Sequence, residues 1–545
     1  MPRPSIGAFL GLFILCVPPG AVRAQSAGMN AHAGHGVPRV PREILERPVP
    51  LREGIGNFHD PVTTTSQEAQ AYYNQGIAYL MSYVWIEAAP SFHQALRHDP
   101  NLAMAYDGLS DAYLELGDPE SAHEACDKAN ALSAHISERE RRRIAVRTAQ
   151  LAYLDDNRNS QKYFAYGKAI EDAIAADPTD PVLWLLRGFA DEGSPHGHGQ
   201  GGGVLSIAIY EAALARSPEN FATHHFLAHT FENIGRYHDA LPHAEAYVRL
   251  APAIPHAHHM LGHILRGLGL PQDALQQFLK ADELEEAYYR VEQIPPAWDW
   301  HHAHNLGLLG QSYEYLGEMK AAEPVIKRAF ALPAFVDFAE YNRRDWPEFL
   351  LNRGRAQEAL EAALSMAQDQ LPTGRAMGHA LAGRALLALG RPDDANQELA
   401  LADREIQLVL NPVPVQPYID GLRGQLALRK QNFSEANARL EKAEEAMKEI
   451  SGPDAQTETL FWLDSLAREA RQAGDWKLAE YSARQMLAHD PTYAGSHYAL
   501  ALAAEHRGDT ATAQREFAEA RRLWSHADAD LPELAVLRRN SARQP

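Results

Sequence analysis

The stretch "AQAYYNQGIAYL", Ala69–Leu80, followed by "EAAPSFHQALRHDP", Glu87–Pro100, decides how the chain folds. In the first part Tyr72, Gly76 and Tyr79 recur at helical spacing, and in the second Ala88, Phe92 and Ala95 do the same before Pro100. Residues three and four apart share one face of a helix. Each part therefore predicts a helix with one packing stripe. Thirty-four residues later Tyr106, Ser110, Tyr113, Ala122, Cys126 and Ala129 fill the same places. The small residues let the two helices of a hairpin approach closely. The large ones fill the gap between neighbouring hairpins.

An aromatic–small–aromatic helix followed by an Ala–Phe–Ala helix at this period is the tetratricopeptide pattern. It returns near Pro181, Phe221, Pro255, Ala303, Ala376, Pro417 and Ala494, and more weakly near Arg147, Glu340 and Leu460. No alternating strand pattern competes. The expected fold is all-α, a right-handed tetratricopeptide-repeat solenoid of about a dozen helix hairpins. The first helix of each repeat should line its concave face. Cys126 takes the core place that Phe92 holds one repeat earlier, so it reads as a packed, unreactive thiol.

Composition narrows the function. The chain has 545 residues, 46% of them hydrophobic, and a formal net charge of -20. Such acidity argues against nucleic acid, whose phosphates demand a basic surface, and against anionic membrane surfaces. At the N-terminus Arg3, the apolar run Ile6–Val17 and "AVRA" before Gln25 have the order of a secretory signal. Residues 1–24 read as a signal peptide, which implies a periplasmic or secreted protein with no transmembrane segment after cleavage. Residues 25–65, rich in Pro, Gly and His, read as a linker or extended arm. Residues 66–190 read as N-terminal repeats, 191–335 as histidine-rich repeats with insertions, 336–526 as C-terminal repeats and 527–545 as a tail. The insertions are Glu192–Gly203 and Glu286–Trp300.

Twelve of the 26 histidines lie between Phe221 and His304. His225 and His229 are the fifth and ninth residues of the Phe221 unit, and His259 and His263 are the fifth and ninth of the Pro255 unit. Each pair is four apart, on one helix face. These places avoid the packing positions, so both pairs should point into the groove and meet there. Helices pack roughly 8–10 Å apart and metal–nitrogen bonds are about 2.0–2.1 Å, which lets two such pairs reach one shared ion. His256 and His304, each second in its unit, should add ligands or orient them. His196, His198, His301 and His302 come from the insertions and should cover the site. His224 and His258 fall on packing positions and read as structural. His238 and His243, on second helices, read as solvent-facing. Met260 reads as packing and Glu232 as a solvated carboxylate.

The stretch His224–Gly269 resembles a group of exported bacterial tetratricopeptide proteins that carry H-x3-H followed by H-A-x-H-M-x-x-H-I. The matching residues are His225, His229, His256, His259, Met260, His263 and His304, with His59 upstream. The chain departs from that pattern at Leu261-Gly262 and at Gly307, where a second downstream histidine is expected.

The leading functional reading is a histidine-built metal site in the concave groove. All-nitrogen ligation without cysteine suits zinc or copper. A metal-independent scaffold for a peptide or protein in the groove is the second reading. A metal-dependent hydrolase or oxidase using the same residues is the third. Binding is expected to weaken below about pH 6, because a free imidazole has a pKa near 6.5.

Overall fold

The computed structural model describes residues 39–191, 204–332, 343–409, 412–448 and 455–541. These residues form twelve helix hairpins, from Gln67–Leu80 with Trp85–His98 to Ala494–Arg507 with Thr510–Leu523, followed by a closing helix Pro532–Ser541. The expected tetratricopeptide solenoid is what the chain forms. None of the described residues lies in a strand. No helix among them is long and apolar enough to cross a membrane. The signal-peptide reading of residues 1–24 and the insertion at 192–203 lie outside the described residues, and so do His196 and His198.

The repeat pattern works as packing. Phe92 is fully buried, and a Cβ placed on Gly76 would come within 2.5 Å of its ring. Several repeats later Gly262 stands in the same relation to Phe278, at 2.7 Å. Helix starts are fixed locally. Ser66, Asp118, Asn220 and Asp299 each accept a backbone N–H of the first turn of the helix that follows. The two helices of the Pro255 hairpin turn at Gly269, whose φ of 73° favours glycine.

One repeated contact explains part of the histidine content. The aromatic at the fourth place of the first helix bonds to a proline carbonyl six residues earlier. Tyr106 reaches Pro100 (3.3 Å), Trp184 reaches Pro178 (3.0 Å), His224 reaches Pro218 (3.1 Å), His258 reaches Pro252 (3.1 Å) and His497 reaches Pro491 (2.9 Å). His224 and His258 are structural, as the repeat position predicted.

Two expectations change. The insertion read as Glu286–Trp300 is largely helix: Pro271–Glu292 runs on for 22 residues, and the next first helix starts at Trp300 instead of Ala303. His301 and His302 are therefore on that helix, one turn earlier than the repeat frame placed its start. His243 is half-buried against His224, with Nδ1 atoms 3.0 Å apart, and so does not face solvent freely.

Residues 39–65 run across several repeats and join them. Arg47 pairs with Glu87 and donates to Tyr288 Oη (2.7 Å), Arg52 pairs with Glu292, and Ala253 N donates to the Gly54 carbonyl (2.8 Å). Asp60 is buried and accepts from Tyr73 Oη (2.9 Å), Arg139 and Arg143 (2.5 Å).

A candidate metal centre of tandem histidine triads

Three first helices carry the histidines: Phe221–Asn233, Pro255–Gly267 and Trp300–Leu316. All six predicted residues come together, but not as one group around a single ion. His225 and His229 meet His256, and His259 and His263 meet His304. In each group the possible ligand atoms lie within 4.8 Å of one another. The rule repeats. Counted in repeat units from Phe221, Pro255 and Ala303, the fifth and ninth residues of one unit face the second residue of the next. Neighbouring helices are offset by about one turn, so equivalent places are not side by side. Sequence reasoning had assumed they were.

A third triad, His256, His259 and His301, joins the two outer ones. His301 was read as a cover residue; the earlier helix start puts it among the candidate ligands instead. Spacing in the sequence gave no sign of this, because the signal lay in where the helix begins. His59 is exposed and 3.4 Å from Asn74, away from the triads. At Gly307, a Cβ would have Asp345 as its nearest neighbour, at 3.7 Å.

The site is buried, in contrast to the open groove expected. His225, His256, His259, His263 and His301 are all buried, and His229 and His304 are half-buried. The roof is the turn of the first hairpin. The Tyr83 ring lies 4.6 Å from that of His225, 5.8 Å from His229 and 5.4 Å from His256, and Trp85 stacks on Trp300.

Oxygen atoms hold the far side of four rings. His225 Nδ1 is 2.7 Å from the Met81 carbonyl. His259 Nδ1 is 3.0 Å from Asn305 Oδ1, and the amide nitrogen of Asn305 donates to the Phe278 carbonyl (3.1 Å). Glu232 Oε1 lies 3.1 Å from His263 Nδ1, so this carboxylate is buried beside the site and not solvated. Glu285 bridges His301 Nδ1 and His302 Nδ1, the latter at 2.8 Å. At His225, His259 and His301 the oxygen partner places the proton on Nδ1 and turns the Nε2 lone pair outward, whereas the contact between Glu232 and His263 Nδ1 is not a hydrogen bond.

The Nε2 atoms of the triads approach one another. His259 and His263 are 2.8 Å apart, His225 and His256 3.0 Å, and His229 and His256 3.2 Å. Among the described residues His301 Nε2 has no hydrogen-bond partner. For tetrahedral zinc, ligand nitrogens stand about 3.4 Å apart, given bonds of about 2.0–2.1 Å. The observed spacings need little change to meet that.

Electrostatics point the same way. Burial pushes His225 down to about 3, and burial with neighbouring imidazoles holds His229, His256 and His259 well below the ordinary value. The expectation built on a free imidazole near 6.5 therefore does not carry over. These rings stay neutral, the form that ligates. Around the triads two groups differ. Burial raises and the imidazoles of His301 and His302 lower Glu285, which ends at about 2; burial opposes but Glu285 raises His302. Glu285 thus favours the protonated form of His302 against the opposing effect of burial. Asp282 and Glu285, on the Pro271–Glu292 helix, and His302, on the Trp300–Leu316 helix, also lie close enough to share an ion.

Met260, next to His259, and Cys126, away from the site, are buried core residues, and burial pushes the Cys126 thiol up. Both behave as the sequence predicted.

A family model described as "Tetratricopeptide repeat" matches residues 86–135 and 226–287. The second match contains His229, His259 and His263 and begins one residue after His225. No curated protein sequence matches the chain. Among solved structures it is similar to a human IFIT1 dimer with m7Gppp-AAAA, at 13% identity over 77% of this chain and 90% of that one, with a TM-score of 0.40. It is also similar to YrrB, a tetratricopeptide protein with an unusual peptide-binding site, at 19% identity over 36% and 91%, with a TM-score of 0.26. A tetratricopeptide protein from Parabacteroides merdae matches at 13% identity over 48% and 93%, with a TM-score of 0.33. The chain is a tetratricopeptide-repeat solenoid.

Proposed function

We propose that this protein is an exported tetratricopeptide scaffold that holds zinc or copper in its buried histidine triads. The observation that carries the metal reading is the pair His259 and His263. Their Nε2 atoms face each other at 2.8 Å, while Asn305 and Glu232 occupy the Nδ1 sides. A cation placed between these two facing nitrogens would be ligated by both rings. The charge pattern of residues 1–24 supports export. The interaction-scaffold role of the solenoid stands beside the metal site, with a peptide or protein partner on its free first-helix faces.

Elemental analysis of protein isolated from the periplasm without a histidine tag tests the reading. About two zinc or copper ions per chain is the expected result, one per outer triad. Chelator-treated protein that takes up neither zinc nor copper in calorimetry refutes it.

A further inference from the structure

The C-terminal hairpins turn back onto the middle of the chain. Tyr315 Oη donates to Asp490 Oδ2 (2.9 Å), Asp528 N donates to the Gly317 carbonyl (3.1 Å), and Lys320 N donates to Asp528 Oδ2 (2.8 Å). Between these elements lies a cavity of about 180 Å³. Its walls include Phe461, Tyr493, Tyr498 and Trp524. A cavity of about 150 Å³ holds one benzene ring, so this one has room for a single ring and a small substituent.

Its polar lining is unbalanced. Asp464, Arg468 and Arg471 share one face of the Ala455–Ala473 helix. Arg468 is engaged, 3.2 Å from Asp464 and donating to the Asn352 carbonyl at 2.6 Å. Among the described residues Arg471 Nη1 is buried with no hydrogen-bond partner. The same holds for Trp524 Nε1, on a residue only 7% exposed. Burial, with Asp345 and Glu348 nearby, pushes the Glu314 carboxyl up to about 8 and so keeps it neutral at neutral pH. Among the lining residues Arg353, Arg468 and Arg471 then outnumber the remaining carboxylates, Asp464 and Glu533, although among the described residues Glu533 Oε2 is also buried with no hydrogen-bond partner. Buried donors without acceptors are costly, and a cationic surplus draws an anion.

We propose that this cavity binds a small carboxylate with a flat apolar body, its carboxylate taken by Arg471 with Trp524 Nε1–H as second donor. The aromatic walls hold the body. The site is separate from the histidine triads and shares no residue with them.

Benzoate is the probe, titrated calorimetrically into the full chain. Saturable one-to-one binding is expected, with no binding of benzyl alcohol, which has the ring but not the charge. Arg471→Met should weaken benzoate by about tenfold or more, the worth of a hydrogen bond to a charged group. Trp524→Phe keeps the ring and loses the donor, and should weaken it by a smaller factor. If Arg471→Met does not fold, Arg471→Lys and Trp524→Phe carry the comparison, each checked by its melting curve. No saturable benzoate binding to the unaltered protein means that the cavity holds water alone, and the proposal fails. Unchanged affinity in both folded variants also overturns it.

Discussion

His229 and His263 occupy the same place on adjacent first helices, and each serves its own triad instead of facing the other across the groove. His229 Nε2 is 3.2 Å from His256 Nε2, and His263 Nε2 is 2.8 Å from His259 Nε2. The site is thus a short tandem array, and His256 and His259 lie at its centre with His301.

That arrangement separates two single variants that a shared site would make equivalent. His229→Ala should lose the ion of the first outer triad and keep the second. His263→Ala should do the reverse, and the double variant should lose both. Each change should lower zinc stoichiometry from about two to about one, since an ion left with two protein nitrogens is held weakly. Circular dichroism should stay nearly constant. His123→Ala, on a half-exposed residue paired with Asp155, is the control and should leave stoichiometry unchanged.

Acid should destabilise the metal-free protein earlier than its carboxylates would. His225 stays neutral in the folded chain down to about pH 3 because it is buried, whereas the unfolded chain takes up a proton near 6.5. Its contribution to stability is complete above the unfolded value and falls as the pH drops from 6.5 toward about 3. Each such ring adds a slope of up to about 1.4 kcal/mol per pH unit. Urea unfolding of chelator-treated protein at about pH 7, 6 and 5 measures it. His225→Phe should give a shallower slope.

Gly262 is pinned by the Phe278 ring, which a methyl group would meet at 2.7 Å. Gly262→Ala should cost about 1–3 kcal/mol, the usual penalty of overpacking. The same helix carries His259 and His263, so zinc affinity should fall with stability. Gly262→Ala combined with Phe278→Leu makes room again and should recover part of both. Thermal melts and zinc titration of the three proteins decide the point.

Asp60 ties the chain before the first hairpin to Arg139 and Arg143, and Arg143 also pairs with Asp180 at 2.5 Å. Arg143 and Asp60 are buried, and the neighbouring guanidinium groups hold Asp60 below its usual range against the opposing effect of burial. Removing one partner of a buried pair costs about 3–5 kcal/mol. Asp60→Ala should therefore loosen residues 39–60. Limited proteolysis should cut there first and leave the repeats intact. Equal cleavage rates in the variant and the unaltered protein would contradict this role.

The sequence by itself determined the hairpins. A 34-residue period of small and aromatic places fixes which face of each helix packs, because those contacts run between neighbours in the chain. It also picked out the six histidines of the outer triads, since their places are empty of packing residues. Tertiary structure alone decided how they group. The one-turn offset between first helices is a property of helix crossing, and no spacing within one helix contains it. The early start of the Trp300 helix brought in His301, and the folding of the first hairpin against the histidine-bearing helices brought Tyr83 over the rings. Burial followed from that closure, and with it the lowered pKa of His225 and the placing of Glu232 beside His263. A free imidazole value and an open groove were the wrong starting points, because both describe a helix face before the rest of the chain has covered it.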